Sequence, residues 1–85
     1  MSYEVELMPS AQRDLDEFRG KLLAKLENLI LGLGVDPRPH HSKKLSGGGS
    51  RWRIRTGDYR ILYEIDEKQR RVRVYRIAHR KDVYR

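Results

Sequence analysis

Cysteine is absent from the 85 residues, which removes a disulfide framework and any thiolate metal site and suits a reducing compartment. No apolar run reaches the length needed to cross a bilayer. The opening, MSYEVELMPS, lacks a basic segment followed by an apolar one, so no secretory signal is expected. The expectation is a cytoplasmic protein with no membrane partner. Aromatic residues make up only 8 % of the chain. A single domain over residues 1–85 is expected, burying about two-thirds of the surface its unfolded chain exposes. The glycine run inside Ser46–Ser50 lacks the Gly-Lys-Ser/Thr ending of a phosphate-binding P-loop. His40 and His41 have no carboxylate or thiol at ligand spacing, so neither a metal nor a cofactor is expected.

Charge is abundant, and it is lopsided. Residues 1–50 hold seven Lys and Arg against seven Asp and Glu, whereas residues 51–85 hold twelve against five. The whole net charge of +7 therefore lies in the last 35 residues. One-sided basicity of this kind marks a phosphate-rich partner. Arginine outnumbers lysine ten to two in that half, and the planar guanidinium fork matches phosphate oxygens better than an ammonium does.

Hydrophobic periodicity outlines an α+β domain of order β-α-α-β-β-β. Tyr3–Leu7 alternates as a strand does. Pro9 interrupts it, and Ser10 is expected to cap a short helix carrying Ala11, Leu15 and Phe18, which Gly20 ends. A second helix sets Leu22, Leu23, Leu26, Leu29, Ile30 and Leu33 on one face and stops at Gly32 and Gly34. Residues 35–50 read as loop. Three strands follow, Arg51–Thr56, Tyr59–Ile65 and Arg71–Ile77, with a turn at Gly57-Asp58. The apolar phase of the last strand slips between Val74 and Tyr75, which predicts a bulge or burial on both sides. A helical hairpin is expected to pack on one face of a small antiparallel sheet, with Trp52, Ile54, Ile61 and Ile65 in the core. The other face is expected to carry Arg53, Arg55 and Arg60 side by side.

Read residue by residue, the chain yields an arginine-lined face beside His79, Arg80 and Tyr84, a set able to serve RNA scission by the neighbouring 2′-hydroxyl. Guanidinium groups suit the developing charge on phosphorus. They hold their protons too tightly to act as bases, which leaves His79 and Tyr84 as the proton-transfer candidates.

The string Trp52-Arg-Ile-Arg-Thr-Gly-Asp-Tyr-Arg-Ile-Leu-Tyr63, followed by His79-Arg-Lys-Asp-Val-Tyr84, resembles the RelE branch of the RelE/ParE toxin superfamily. The resemblance extends to the Ala11-x-Arg-Asp-Leu15 helix start, Asp36-Pro37 and Lys44-Leu45. It implies the RelE fold and the toxin of a type II toxin–antitoxin system. The implied activity is a metal-independent endoribonuclease that cuts mRNA in the ribosomal decoding site and leaves a 2′,3′-cyclic phosphate. Arg53 and Arg55 would hold the RNA, helped by Arg51 and Lys81; Arg60 would stabilise the phosphate. Arg80 and Tyr84 would complete the catalytic group, with His79 an additional member. The implied partners are mRNA on the ribosome and a cognate antitoxin, in a hetero-oligomer that masks the basic face. Leu31, opposite the core stripe of the second helix, is either one apolar contact for the antitoxin or a stray exposed leucine, the more common case. Two alternatives stay open: a ParE-like inhibitor of DNA gyrase without nuclease activity, and an inactive RNA-binding relic.

Overall fold

A computed structural model describes residues 2–47 and 49–83. In chain order these form β1 (Glu4–Leu7), α1 (Pro9–Leu15), α2 (Gly20–Gly32), β2 (Ser42–Lys44), β3 (Arg51–Thr56), β4 (Tyr59–Asp66) and β5 (Arg71–His79). The strands make one five-stranded sheet in the order β1-β5-β4-β3-β2. The α+β class and the three C-terminal strands agree with the sequence reading. The sheet is mixed rather than antiparallel, because β1 runs parallel to β5, pairing Glu4 with Arg71 and Leu7 with Val74.

Three local expectations are corrected. First, β2 lies inside the expected loop and pairs antiparallel with β3, Ser42 opposite Ile54 and Lys44 opposite Trp52. Its sequence, Ser-Lys-Lys, has no apolar alternation to betray it, and lysine is common on an edge strand because it deters pairing with other chains. Second, α1 ends at Leu15, and Gly20 opens α2 with a left-handed φ of 61° instead of closing α1. Third, Ser10 does not cap α1. Pro9 takes the first turn, where no N–H is needed, and the Ser10 hydroxyl donates to the Tyr75 carbonyl at 2.7 Å.

That bond has a purpose. β1 covers β5 only as far as Val74, so the rest of the β5 edge would lie open. The Met8 N–H donates to the Val74 carbonyl, Ser10 follows, and the Ile77 N–H donates to Asp14 Oδ2 at 2.8 Å. The side chains of α1 thus finish the ladder that the strand leaves incomplete.

The core lies between the helices and one sheet face. Ala11, Leu15, Leu26, Ile30 and Leu33 meet Ile54, Ile61, Tyr63, Ile65, Val72, Val74 and Ile77. Trp52 is only half-buried and packs at the margin. Gly34 lets the end of α2 reach β1: its carbonyl accepts the Tyr3 N–H at 2.7 Å, and an added Cβ would lie 3.0 Å from the Tyr3 oxygen. Tyr63 is fully buried and donates to the Pro37 carbonyl at 2.7 Å; burial pushes its hydroxyl up to about 12.

The phase slip in β5 is a bulge. Leu62 faces Arg76 and Tyr63 faces Val74, so Tyr75 is the extra residue.

Candidate nucleic-acid interface

Among the described residues, no helix covers the second face of the sheet. Strand register sets its membership, since directly opposed residues share a face. Lys43, Arg53, Leu62 and Arg76 form one cross-strand row; Arg55, Arg60 and Ala78 form the next. Leu62 is buried although it lies outside the core cluster, flanked in its row by the long stems of Arg53 and Arg76. Toward the other end come Arg51, Glu64 and Arg73 in one row, with Asp66 opposite Arg71 beyond it.

The face is divided electrostatically. At the end next to the β4–β5 turn, arginines meet carboxylates: Arg71 with Glu4 at 3.2 Å, Arg73 with Glu6 at 3.3 Å and with Asp66 at 3.5 Å, and Arg51 with Glu64 at 3.6 Å. The Gln69 N–H, above all, and then Arg73 hold the Asp66 carboxyl below its ordinary range. Among the described residues, no carboxylate pairs with Lys43, Arg53 or Arg55 at the other end.

The expected site residues separate accordingly. Arg53, Arg55 and Arg60 do share a face, and the register sets Arg55 directly against Arg60. Arg60 is only 9 % exposed; its guanidinium donates to the Tyr59 carbonyl at 2.9 Å and the Gly57 carbonyl at 3.2 Å. It enters the site as a fixed charge rather than a mobile arm. Gly57, with a left-handed φ of 58°, makes the hairpin turn that presents those carbonyls. Arg80 reaches the same turn: its N–H donates to the Asp58 carbonyl at 2.7 Å, and its Nε lies 3.7 Å from Asp58 Oδ1. Lys81 is exposed next to it.

Arg51 and His79 do not join them. Arg51 belongs to the neutralised end, with its guanidinium 5.6 Å from the centre of the Tyr75 ring. His79 is opposite Tyr59, on the helix side of the sheet. There the Tyr59 ring meets Phe18 edge-on at 5.3 Å and His79 at 5.4 Å, and His79 Nδ1 accepts the Lys81 N–H at 3.2 Å. Tyr84 lies outside the described residues.

Lys43, Tyr75 and Arg76 of this face escaped the sequence reading, Lys43 because β2 was hidden in the expected loop. Tyr75 is carried onto it by the bulge, and Arg76 sits 3.7 Å from Asp14 while donating to the Asp82 carbonyl at 3.2 Å. The phase slip at Val74/Tyr75 was the available signal for both. Among the described residues, no group of three or more His, Asp or Glu is placed to hold a metal ion, and no helix is long and apolar enough to cross a membrane.

Against known proteins, residues 5–84 match the ParE toxin of the type II toxin–antitoxin system, parDE. The chain is 34 % identical to Toxin RelG of Mycobacterium tuberculosis over 90 aligned positions, covering all of this chain and 99 % of that protein. The crystal structure of the toxin–antitoxin complex RelBE2 from the same organism contains a chain that superposes with a TM-score of 0.81 at 30 % identity, over 93 % of this chain and 99 % of that one. The archaeal RelE–RelB complex of Pyrococcus horikoshii shares the fold, with a TM-score of 0.83 at 23 % identity over 98 % of this chain and 100 % of that one.

Proposed function

The chain belongs to the RelE/ParE family of type II toxin–antitoxin toxins, and from that premise we propose that it is an endoribonuclease acting on mRNA in the decoding site of the ribosome. The observation that carries this reading is the uncompensated cationic end of the sheet, where Lys43, Arg53 and Arg55 lack carboxylate partners among the described residues and Arg60 is held beside them. A surface of this kind binds phosphate and stabilises an extra negative charge on it without reorganising.

In the proposed reaction the 2′-hydroxyl loses its proton and its oxygen forms a bond to the adjacent phosphorus. The bond from phosphorus to the 5′-oxygen breaks, and that oxygen takes up a proton as it leaves. The products are a 2′,3′-cyclic phosphate and a 5′-hydroxyl. Arg53 and Arg55 orient the RNA, and Arg60 and Arg80 face the charge that develops on the phosphorane. Proton transfer falls to Tyr84, since the helix-side position of His79 disfavours it. The partner is an acidic antitoxin in a cytoplasmic complex, a proposal supported by the relatives solved as toxin–antitoxin complexes. Charge complementarity would speed its capture.

Primer extension on a defined mRNA, with and without ribosomes stalled at a known codon, tests this reading. A new 3′ boundary inside the decoding-site codon, seen only with ribosomes, is the expected result. No boundary in either case, together with loss of gyrase supercoiling on addition of the protein, would transfer the chain to the ParE activity whose family signature it matches.

A further inference from the structure

The cationic end of the sheet does not stop at β3. It continues across β2 into a groove of about 490 Å³ lined by His40, His41, Ser42, Lys43, Arg53 and Arg55. Lys43 is opposite Arg53 on the outer face, while Lys44 is opposite Trp52 and belongs to the other face. The His40 and His41 rings stand edge-to-face with centroids 5.2 Å apart, both residues exposed to solvent.

Exposed though they are, these rings sit on a firmly anchored segment. The Pro37 carbonyl accepts the Tyr63 hydroxyl at 2.7 Å. Arg38 bonds Glu67 and lies 5.4 Å from the centre of the Trp52 ring. The Pro39 carbonyl accepts both the Ser42 N–H at 2.9 Å and the Ser42 hydroxyl at 2.6 Å. The residues on both sides of the histidines are therefore pinned to β3, β4 and the β4–β5 turn. Pre-ordered aromatic rings next to an uncompensated cation are what a nucleotide needs, because the ordering cost is met before binding.

We propose that the His40–His41 pair and Lys43 form a subsite for a nucleotide flanking the cleaved one, with its phosphate on Lys43 and its base stacked on the histidine rings. The inference rests on the reading of the arginine face as an RNA surface and extends the strand's path over β2. Stacking on a π-face tolerates any base, so the subsite adds affinity and register without a sequence code.

The test is fluorescence anisotropy of the full chain with single-stranded RNA blocked at the 2′-oxygens, in a short form and in a form extended at either end. His40→Ala/His41→Ala should cost the extended RNA about tenfold in affinity and the short RNA little. Lys43→Ala should lower the slope of log affinity against log salt by about 0.7, as expected when one phosphate contact is lost. Lys44→Ala removes the same charge from the same edge strand, and its effect should be distinctly smaller. Equal effects of the two lysine variants, or unchanged binding of the extended RNA by the histidine variant, would overturn the subsite. So would a histidine variant that loses only antitoxin binding, since the groove would then serve a protein. Arg53→Ala/Arg55→Ala separates the two levels of inference. If it leaves RNA binding intact, the arginine-face reading itself fails; if it abolishes binding while Lys43 and the histidines prove silent, that reading survives alone. Melting curves of each variant verify that the fold is intact.

Discussion

The two ends of the uncovered sheet face are built from the same residue type and do opposite things. At the end next to the β4–β5 turn, Arg51, Arg71 and Arg73 meet Glu64, Glu4, Glu6 and Asp66, and the local charge nearly cancels. At the end toward the Gly57 turn, Lys43, Arg53 and Arg55 meet no carboxylate among the described residues, and their field is left for a ligand. Arginine is thus cement at one end and bait at the other. Composition counts both alike; only the partner across the strand tells them apart.

The sharpest way to break this comparison is to neutralise each end in turn. Arg53→Ala/Arg55→Ala should lower ribosome-dependent cutting by about a hundredfold or more, with little change in melting temperature. Arg71→Ala/Arg73→Ala should leave cutting near wild type and lower stability modestly, since such partly exposed pairs contribute only about 0.2–1 kcal/mol each. The reverse pattern would end the distinction. Next in size, Arg60→Ala should slow cutting of bound mRNA at least about tenfold while changing ribosome affinity less. A larger loss of affinity than of rate would make Arg60 a binding residue or a support for the Gly57 turn. A gain comes third: Glu64→Gln releases Arg51, which should tighten RNA binding by roughly two- to fivefold and raise the salt slope. No change on titration would mean that Arg51 is too far from the RNA path to matter.

The smallest effect concerns pH. The Tyr3 hydroxyl, chiefly, and the Arg38 guanidinium hold the Glu67 carboxyl below its ordinary value of 4.5. A carboxyl whose value falls on folding stabilises the fold above the unfolded value and loses that contribution as pH drops through the folded one. Acid unfolding of Glu67→Gln should therefore depend less on pH below about 4.5 than that of the wild type, with the two curves parallel above it. Parallel curves throughout would show the cluster to be inert. On the alkaline side Tyr63 works with the opposite sign. Its contribution is complete below pH 10.0 and fades as pH rises through about 12.

How much could be read in advance varied with the range of the signal. β3 and β4 were plain because their alternation is strong and one short turn joins them. That same turn held an unread consequence: with Thr56 opposite Tyr59, Arg51 must fall opposite Glu64. The carboxylates that silence Arg71 and Arg73 were not readable at all, since Glu4 and Glu6 reach them through a parallel pairing of distant segments. β2 was hidden by having no apolar residue. For His79 the local sequence pointed to the arginine face, and the bulge four residues earlier in β5 decided otherwise.

That bulge works like a half-step in a zip. Before it, Val72 and Val74 face inward; after it, Ile77 does, and Arg76 stays in the open row with Leu62. Were Tyr75 to pair regularly instead of bulging, strict alternation would run through it and everything downstream would change sides. Arg76 and Ala78 would turn into the core, while Ile77 and His79 would turn onto the cationic face. A single supernumerary tyrosine thus lets one continuous strand obey two incompatible hydrophobic rhythms, and it sorts the imidazole from the guanidiniums without moving either in sequence.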